Sequence, residues 1–223
     1  MDKGERLNVF HMWVSVSFGN LDVGGGVKQM KGQWRNRLIS AGVVLICLLA
    51  GFFVFLGSRD MEDVELGVPE IEVRSTSITQ EGKLLLTCGS DKSKNDPAGD
   101  NQSPQVSWNQ VMGAKSYVVV MVDEDASWIH WYVDDLTVTE LPQGAYNKEY
   151  EGPYPPALLG SRHNYRIEVF ALRQPPDIVT VKLDKRNSYP EIINDLDTAK
   201  GERRNILARG YIVGSYQHGD KTE

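Results

Sequence analysis

The sequence predicts a mostly β fold: one antiparallel domain with a minor C-terminal helix, preceded by one transmembrane helix. Three observations predict it. They are an uncharged 20-residue run from Leu38 to Gly57, a series of short β-branched and aromatic segments parted by Gly/Pro/Asn/Asp-rich loops, and a single apolar stripe at helical spacing just after residue 190. With 223 residues, 41% hydrophobic and 24% charged, the chain has room for one ordinary domain and the composition of a folded one.

Residues 1–37 read as a cytoplasmic tail. Residues 1–29 hold a glycine run at 24–26 and no sustained periodicity, whereas MKGQWRNR from Met30 leads directly into the apolar run. Translation is therefore expected to begin at Met30, the alternative being that these residues form a short disordered cytoplasmic tail. The segment 38–57, LISAGVVLICLLAGFFVFLG, is long enough to cross a hydrocarbon core of about 30 Å as a helix. A buried core helix is seldom apolar all round over such a length, and a cleaved signal should end in a small-x-small site, yet Phe55 and Leu56 stand just before Gly57. Bulky Ile46 before Cys47 also argues against a lipid-modified cysteine. Lys28, Lys31, Arg35 and Arg37 lie on one flank, and Arg59, Asp60, Glu62, Asp63 and Glu65 on the other. This asymmetry places the N-terminus in the cytoplasm and the C-terminal domain outside, as a single-pass cell-membrane protein.

Residues 58–70 are acidic and close on Pro69, and are expected to form a solvated tether. The domain itself is expected over 71–217. Strands are expected at 71–78 (IEVRSTSI), 83–88 (KLLLTC), 116–123, 128–135, 166–172 and 206–216, with a polar loop at 89–103. In RIEVFAL, Ile167, Val169 and Ala171 share one face and Glu168, Phe170 and Leu172 the other, so both faces should be covered. A helix is expected from Pro190 to Glu202, capped by Ser188, with Pro190 and Glu191 in its first turn and Ile192, Ile193 and Leu196 as its stripe.

Residues 58–223 carry 18 Lys/Arg against 27 Asp/Glu, a net charge near −9. Nucleic acid is thereby disfavoured as a partner, because phosphates need clustered positive charge. Cys47 and Cys88 lie in different parts of the chain, so an intrachain disulfide is implausible and cysteines cannot build a zinc site. No metal and no cofactor is expected.

Four segments follow one another in a recognisable order: NQSPQVSW at 101–108, VDEDAS at 122–127 leading into His130-Trp131, YEGPYPP at 150–156, and HNYRIEVFAL at 163–172. Together they resemble the bacterial branch of the phosphatidylethanolamine-binding protein family, whose pattern runs N-x-SP-x-x-x-W, D-P-D-A-P, H-W, G-P-x-P-P and H-x-Y. The resemblance spans roughly 71–217. It implies a β-sandwich-like fold with a small surface cavity for anions such as phosphate or a phospholipid headgroup, and no general catalytic activity. Members have been described as inhibitors of proteases or kinases. Carried over by motif, the ligand-binding candidates are Asp123, Asp125, His130, His163 and Tyr165, with Trp128 in the connection beside them and Pro153, Pro155 and Pro156 shaping the rim. Glu124 and Ser127 stand where the pattern has prolines, and the connection to His130 is shorter than usual.

Residue chemistry points the same way. A protonated imidazole offers two N–H donors to an anion and titrates near neutrality, and a neighbouring carboxylate favours that form. The plainer readings are that His130 packs among Trp128, Trp131 and Tyr132, that Tyr165 is ordinary strand packing, and that GPYPP is a structural corner. Asp123 and Asp125 would share a strand face and are expected to fix the loop and orient a histidine rather than hold a cation. Ser161 lies two residues before His163, but no G-x-S-x-G elbow exists, so the protein is not expected to be an enzyme. The expected function is a membrane-anchored extracytoplasmic binding protein for a small phosphate-type or phospholipid-headgroup ligand. The alternative is a protein-interaction module that inhibits or regulates a partner enzyme such as a protease or kinase.

Overall fold

The computed structural model describes residues 43, 46, 61–92, 97–156, 161–183, 185–217 and 219. The chain divides into two compact units, Met1–Phe55 and Leu56–Glu223. In the first, Val43 and Ile46 are described, both helical; the remainder of the expected span at 38–57 and the expected tail lie outside the described residues. Among the described residues no helix is long and apolar enough to cross a membrane.

The second unit contains the strands β1 (Val73–Arg74), β2 (Val106–Trp108), β3 (Ser116–Asp123), β4 (Trp128–Leu136), β5 (Glu140–Leu141), β6 (Arg162–Leu172), β7 (Lys185–Arg186), β8 (Thr198–Ala199), β9 (Glu202–Arg203) and β10 (Ile206–Gln217), with one helix, α1 (Tyr189–Leu196). They form a five-stranded sheet in the order β10-β6-β3-β4-β7, a three-stranded sheet β1-β2-β5 and a two-stranded ribbon β8-β9, with every strand pair antiparallel. The fold is thus mostly β and antiparallel with one small helix, as expected.

The continuous apolar run of β3 explains the layering, because a strand apolar on both faces must be covered on both. Tyr117, Val119 and Met121 pack with Ile167, Val169 and Ala171 of β6, Trp131 and Val133 of β4, and Val106 and Trp108 of the three-stranded sheet. Two sheets therefore share one core. On the opposite face Val118, Val120 and Val122 pack with Phe170, Leu172 and α1 residues Tyr189, Ile192, Ile193 and Leu196. The α1 stripe has i, i+3, i+4, i+7 spacing and seals that face.

Several boundaries differ from expectation. Of 71–78 only 73–74 is strand, because Ser75 and Thr76 redirect the chain: Ser75 Oγ donates to Gln105 O at 2.5 Å, and Gln105 Oε1 accepts from Thr76 N at 2.7 Å. Within 83–88, Leu84 touches Ile78 as an isolated bridge and Leu86–Cys88 forms a 3-10 turn. The helix ends at Leu196 rather than Glu202, since Lys200 and Gly201 both have positive φ and turn the chain as the tight hairpin β8-β9. Ser188 occupies the N-cap position but its side chain makes no capping bond.

The largest correction concerns the expected solvated tether. Met61, Val64, Leu66 and Val68 pack against the α1-side core, Asp63 pairs with Arg166 and Arg209, and Glu70 forms a parallel bridge to Arg209 of β10. Residues 61–70 are a docked part of the domain. Their acidic positions concealed the apolar ones between them.

Candidate functional site

The site forms where β3, β4 and β6 meet at one end of the large sheet. Asp123 closes β3, and it is registered opposite Trp128 on β4 and opposite Tyr165 on β6. One lateral row thus brings three candidates together. His130 arrives by a different device. Met121 faces Trp131 and Val122 faces Ile129, so His130 is the extra residue of a β-bulge, which re-aims a side chain that strict alternation would place elsewhere.

These groups line a cavity of about 370 Å³ formed by Asp123, Asp125, Ala126, Trp128, His130, Tyr154, Pro155, Pro156, His163 and Tyr165. That volume suits a small ligand. Eight of the nine expected site and rim residues line it; the exception is Pro153, which lies buried behind the rim and accepts Ser90 N–H at 3.0 Å through its carbonyl. Tyr154, Pro155 and Pro156 form the rim instead. Tyr154 and Ala126 were not singled out beforehand; the GPYPP and DEDA segments that contain them were the available signal.

Both imidazoles are fixed through Nδ1. His130 Nδ1 lies 2.7 Å from Glu151 O, and because a carbonyl only accepts, this nitrogen carries a proton. The neighbouring bond from Glu151 N to His130 O, at 2.8 Å, ties the rim segment to β4. His163 Nδ1 lies 2.7 Å from Asp123 Oδ2 and is likewise the donor. In each ring Nε2 is then the nitrogen whose protonation decides the charge. The hydrogen bond to Asp123 holds the His163 pKa above its ordinary value, against partial burial, with the charges of Asp123 and Asp125 adding to the rise. Tyr165 sits between the two histidines, edge-on to His130 at 5.2 Å and stacked on His163 at 6.5 Å between ring centroids. Burial, followed by the nearby Asp123 carboxylate, pushes its hydroxyl well above the ordinary tyrosine range, so it stays a protonated donor.

The carboxylates organise the loop. Asp123 Oδ1 accepts from Asp125 N at 2.9 Å and Ala126 N at 3.1 Å, and Asp125 Oδ2 accepts from Asn164 N at 2.7 Å. These are the loop-fixing and histidine-orienting roles expected from the sequence. Carboxylate oxygens of Asp123 and Asp125 and a ring nitrogen of His163 lie within 4.8 Å of one another, but the bonds just named already engage these side chains. Ser161 Oγ donates to Pro156 O at 2.5 Å rather than to an imidazole.

The rim is set by close backbone crossing. Gly152 N donates to Asn101 Oδ1 at 2.7 Å, and Tyr150 OH donates to Cys88 O at 2.6 Å. The NQSP and GPYPP segments are therefore two halves of one support.

Residues 74–217 match the family model described as phosphatidylethanolamine-binding protein, more than half of the chain. A UPF0098 protein of Methanothermobacter thermautotrophicus is 29% identical over 144 residues, 54% of this chain and 86% of that protein. The crystal structure of Escherichia coli YbcL, titled a new member of the mammalian PEBP family, superposes with a TM-score of 0.50 at 24% identity, covering 66% of this chain and 98% of that one. A putative phosphatidylethanolamine-binding protein homologue from Chlamydia trachomatis, CT736, gives 0.47 at 21% identity over 66% of this chain and 97% of that one.

Proposed function

This chain belongs to the phosphatidylethanolamine-binding protein family, and on that premise we propose that its cavity binds a small anion of phosphate or phospholipid-headgroup type. The observation that carries this reading is an open cavity of about 370 Å³ in which two Nδ1-anchored imidazoles flank a protonated tyrosine hydroxyl. Such a cavity offers the Nε2–H groups of two protonated imidazoles to one ligand. A domain near −9 would repel anions at long range, but the Debye length is about 8 Å at physiological salt, so a ligand in contact with an imidazolium feels the local charge first. A few charge-assisted hydrogen bonds, offset by desolvation and lost freedom, correspond to an affinity in the micromolar-to-millimolar range, roughly.

The proposed setting is extracytoplasmic, with 38–57 as a membrane anchor. Catalysis is not part of the reading, which the Ser161 contact to a carbonyl supports. Titration calorimetry with inorganic phosphate and phosphoethanolamine at pH 6 and pH 8 tests it. Tighter binding is expected at pH 6, with loss in His130→Ala/His163→Ala. No binding at either pH, or binding indifferent to both substitutions, would favour a module that docks on and regulates a partner enzyme.

A further inference from the structure

The turn at 124–127 borders the cavity through Asp125 and Ala126, yet lacks the two prolines that would stiffen it. Glu124, at the first of those positions, is not among the lining residues. Its Oε1 accepts from Arg166 Nε at 2.7 Å, and its carbonyl accepts from Met61 N at 2.7 Å. Arg166 is buried, with Nη1 3.2 Å from Asp63 Oδ1 as an ion pair without hydrogen-bond alignment, and its guanidinium lies over the Tyr211 ring at 4.2 Å. Asp63 also lies 3.6 Å from Arg209, which is 3.4 Å from fully buried Glu168, and Glu168 accepts from the Tyr189 hydroxyl of α1. A continuous chain of charges thus runs from the cavity turn, through the docked 61–70 segment, to the helix.

We infer that Glu124, Arg166 and Asp63 are positioning residues for the cavity, and that the 61–70 segment is part of its frame. None of the three lines the cavity; Glu124 belongs to the turn that borders it, Arg166 holds the Glu124 carboxylate, and Asp63 pairs with Arg166. An ion pair at an exposed surface would contribute little, but Arg166 is desolvated, hydrogen-bonded to Glu124 and ion-paired with Asp63, which makes its partners costly to remove. The arrangement takes over the stiffening that prolines would supply by restricting the chain covalently. It also makes cavity shape depend on the segment that leads out of the apolar run.

The ligand arm of the test rests on the anion reading above; the exchange arm does not. In the full chain, Glu124→Ala is expected to raise amide hydrogen exchange at Asp125 and Ala126 about tenfold, the factor of one charge-assisted hydrogen bond, and Asp63→Ala, which removes an ion pair without that bond, by a smaller factor. Strand amides of Val118 to Val120 should be unchanged, and Glu124→Gln, which keeps an acceptor for Arg166 Nε, should restore most of the protection. Phosphoethanolamine binding by calorimetry should weaken in the same order. Exchange at 125 and 126 that stays unchanged in both alanine variants, or rises equally in the strand amides, overturns the positioning role whether or not the ligand binds. Local loss of protection with no phosphoethanolamine binding in any form, including the native chain, supports the positioning role and counts against the anion reading.

Discussion

Asp123 does the most at the residue scale, because one buried carboxylate serves two ends. Its Oδ1 takes the two amides that open the 124–127 turn, and its Oδ2 takes the His163 ring proton. Asp123→Ala would leave two backbone donors and one imidazole N–H without that acceptor, and is expected to cost about 2–4 kcal/mol, read as a lower urea midpoint. His163 supplies a second test. Its folded-state pKa is raised above the ordinary 6.5. A raised value means the folded state holds the proton more tightly than the unfolded chain, so this contribution is fully present below about pH 6.5 and is lost as pH climbs through the folded value. Glutamine at 163 can still donate to Asp123 but cannot titrate. Stability of His163→Gln should therefore fall less between pH 6 and pH 8 than that of the native chain. Equal slopes in the two proteins would assign the titration to another group.

At the element scale the cavity depends on a rim crossing that tolerates no side chain. A Cβ on Gly152 would stand 2.5 Å from Ser90 N and 2.7 Å from Cys88 O, both backbone atoms that cannot swing aside. Gly152→Ala should destabilise the domain by about 1–3 kcal/mol and displace Tyr154 and Pro155 enough to weaken phosphate binding; a neutral melt with native binding would show the rim to be pliant. The same scale explains what the sequence could and could not reveal. β3 and β4 were legible because runs of valine, tryptophan and tyrosine admit little else. Residues 75–77 depart from strand because serine and threonine side chains supply alternative bonds that alternation ignores, and the helix ends before Glu202 at a Lys-Gly turn that carries no apolar signal inside a polar stretch. The site was legible through motif, not spacing: His130, Tyr165 and His163 come from strands separated by β3, and His130 owes its direction to a bulge that its own sequence does not announce. The Asp63–Arg166–Glu124 chain was invisible altogether, since its members lie far apart in sequence on otherwise ordinary polar positions.

For the whole molecule, topology turns on where charge can go. The flank at 28–37 is basic and that at 60–65 acidic, and translocation machinery retains positive flanks on the cytoplasmic side. The proposed orientation therefore puts the cavity outside. The structure suggests a cleaner probe than proteolysis, because residues 61–70 are packed against the domain and a compact domain resists cutting whichever side it occupies. Met112, in the turn before β3, is 96% exposed, whereas Cys88 is fully buried. In Met112→Cys, a membrane-impermeant maleimide added to sealed spheroplasts should label the protein at once, while native Cys88 should stay unreactive. A matching Asn36→Cys, on the basic flank, should react only after lysis. Labelling of position 112 that waits for lysis would reverse the orientation, and prompt labelling of both positions would remove the membrane barrier from between them.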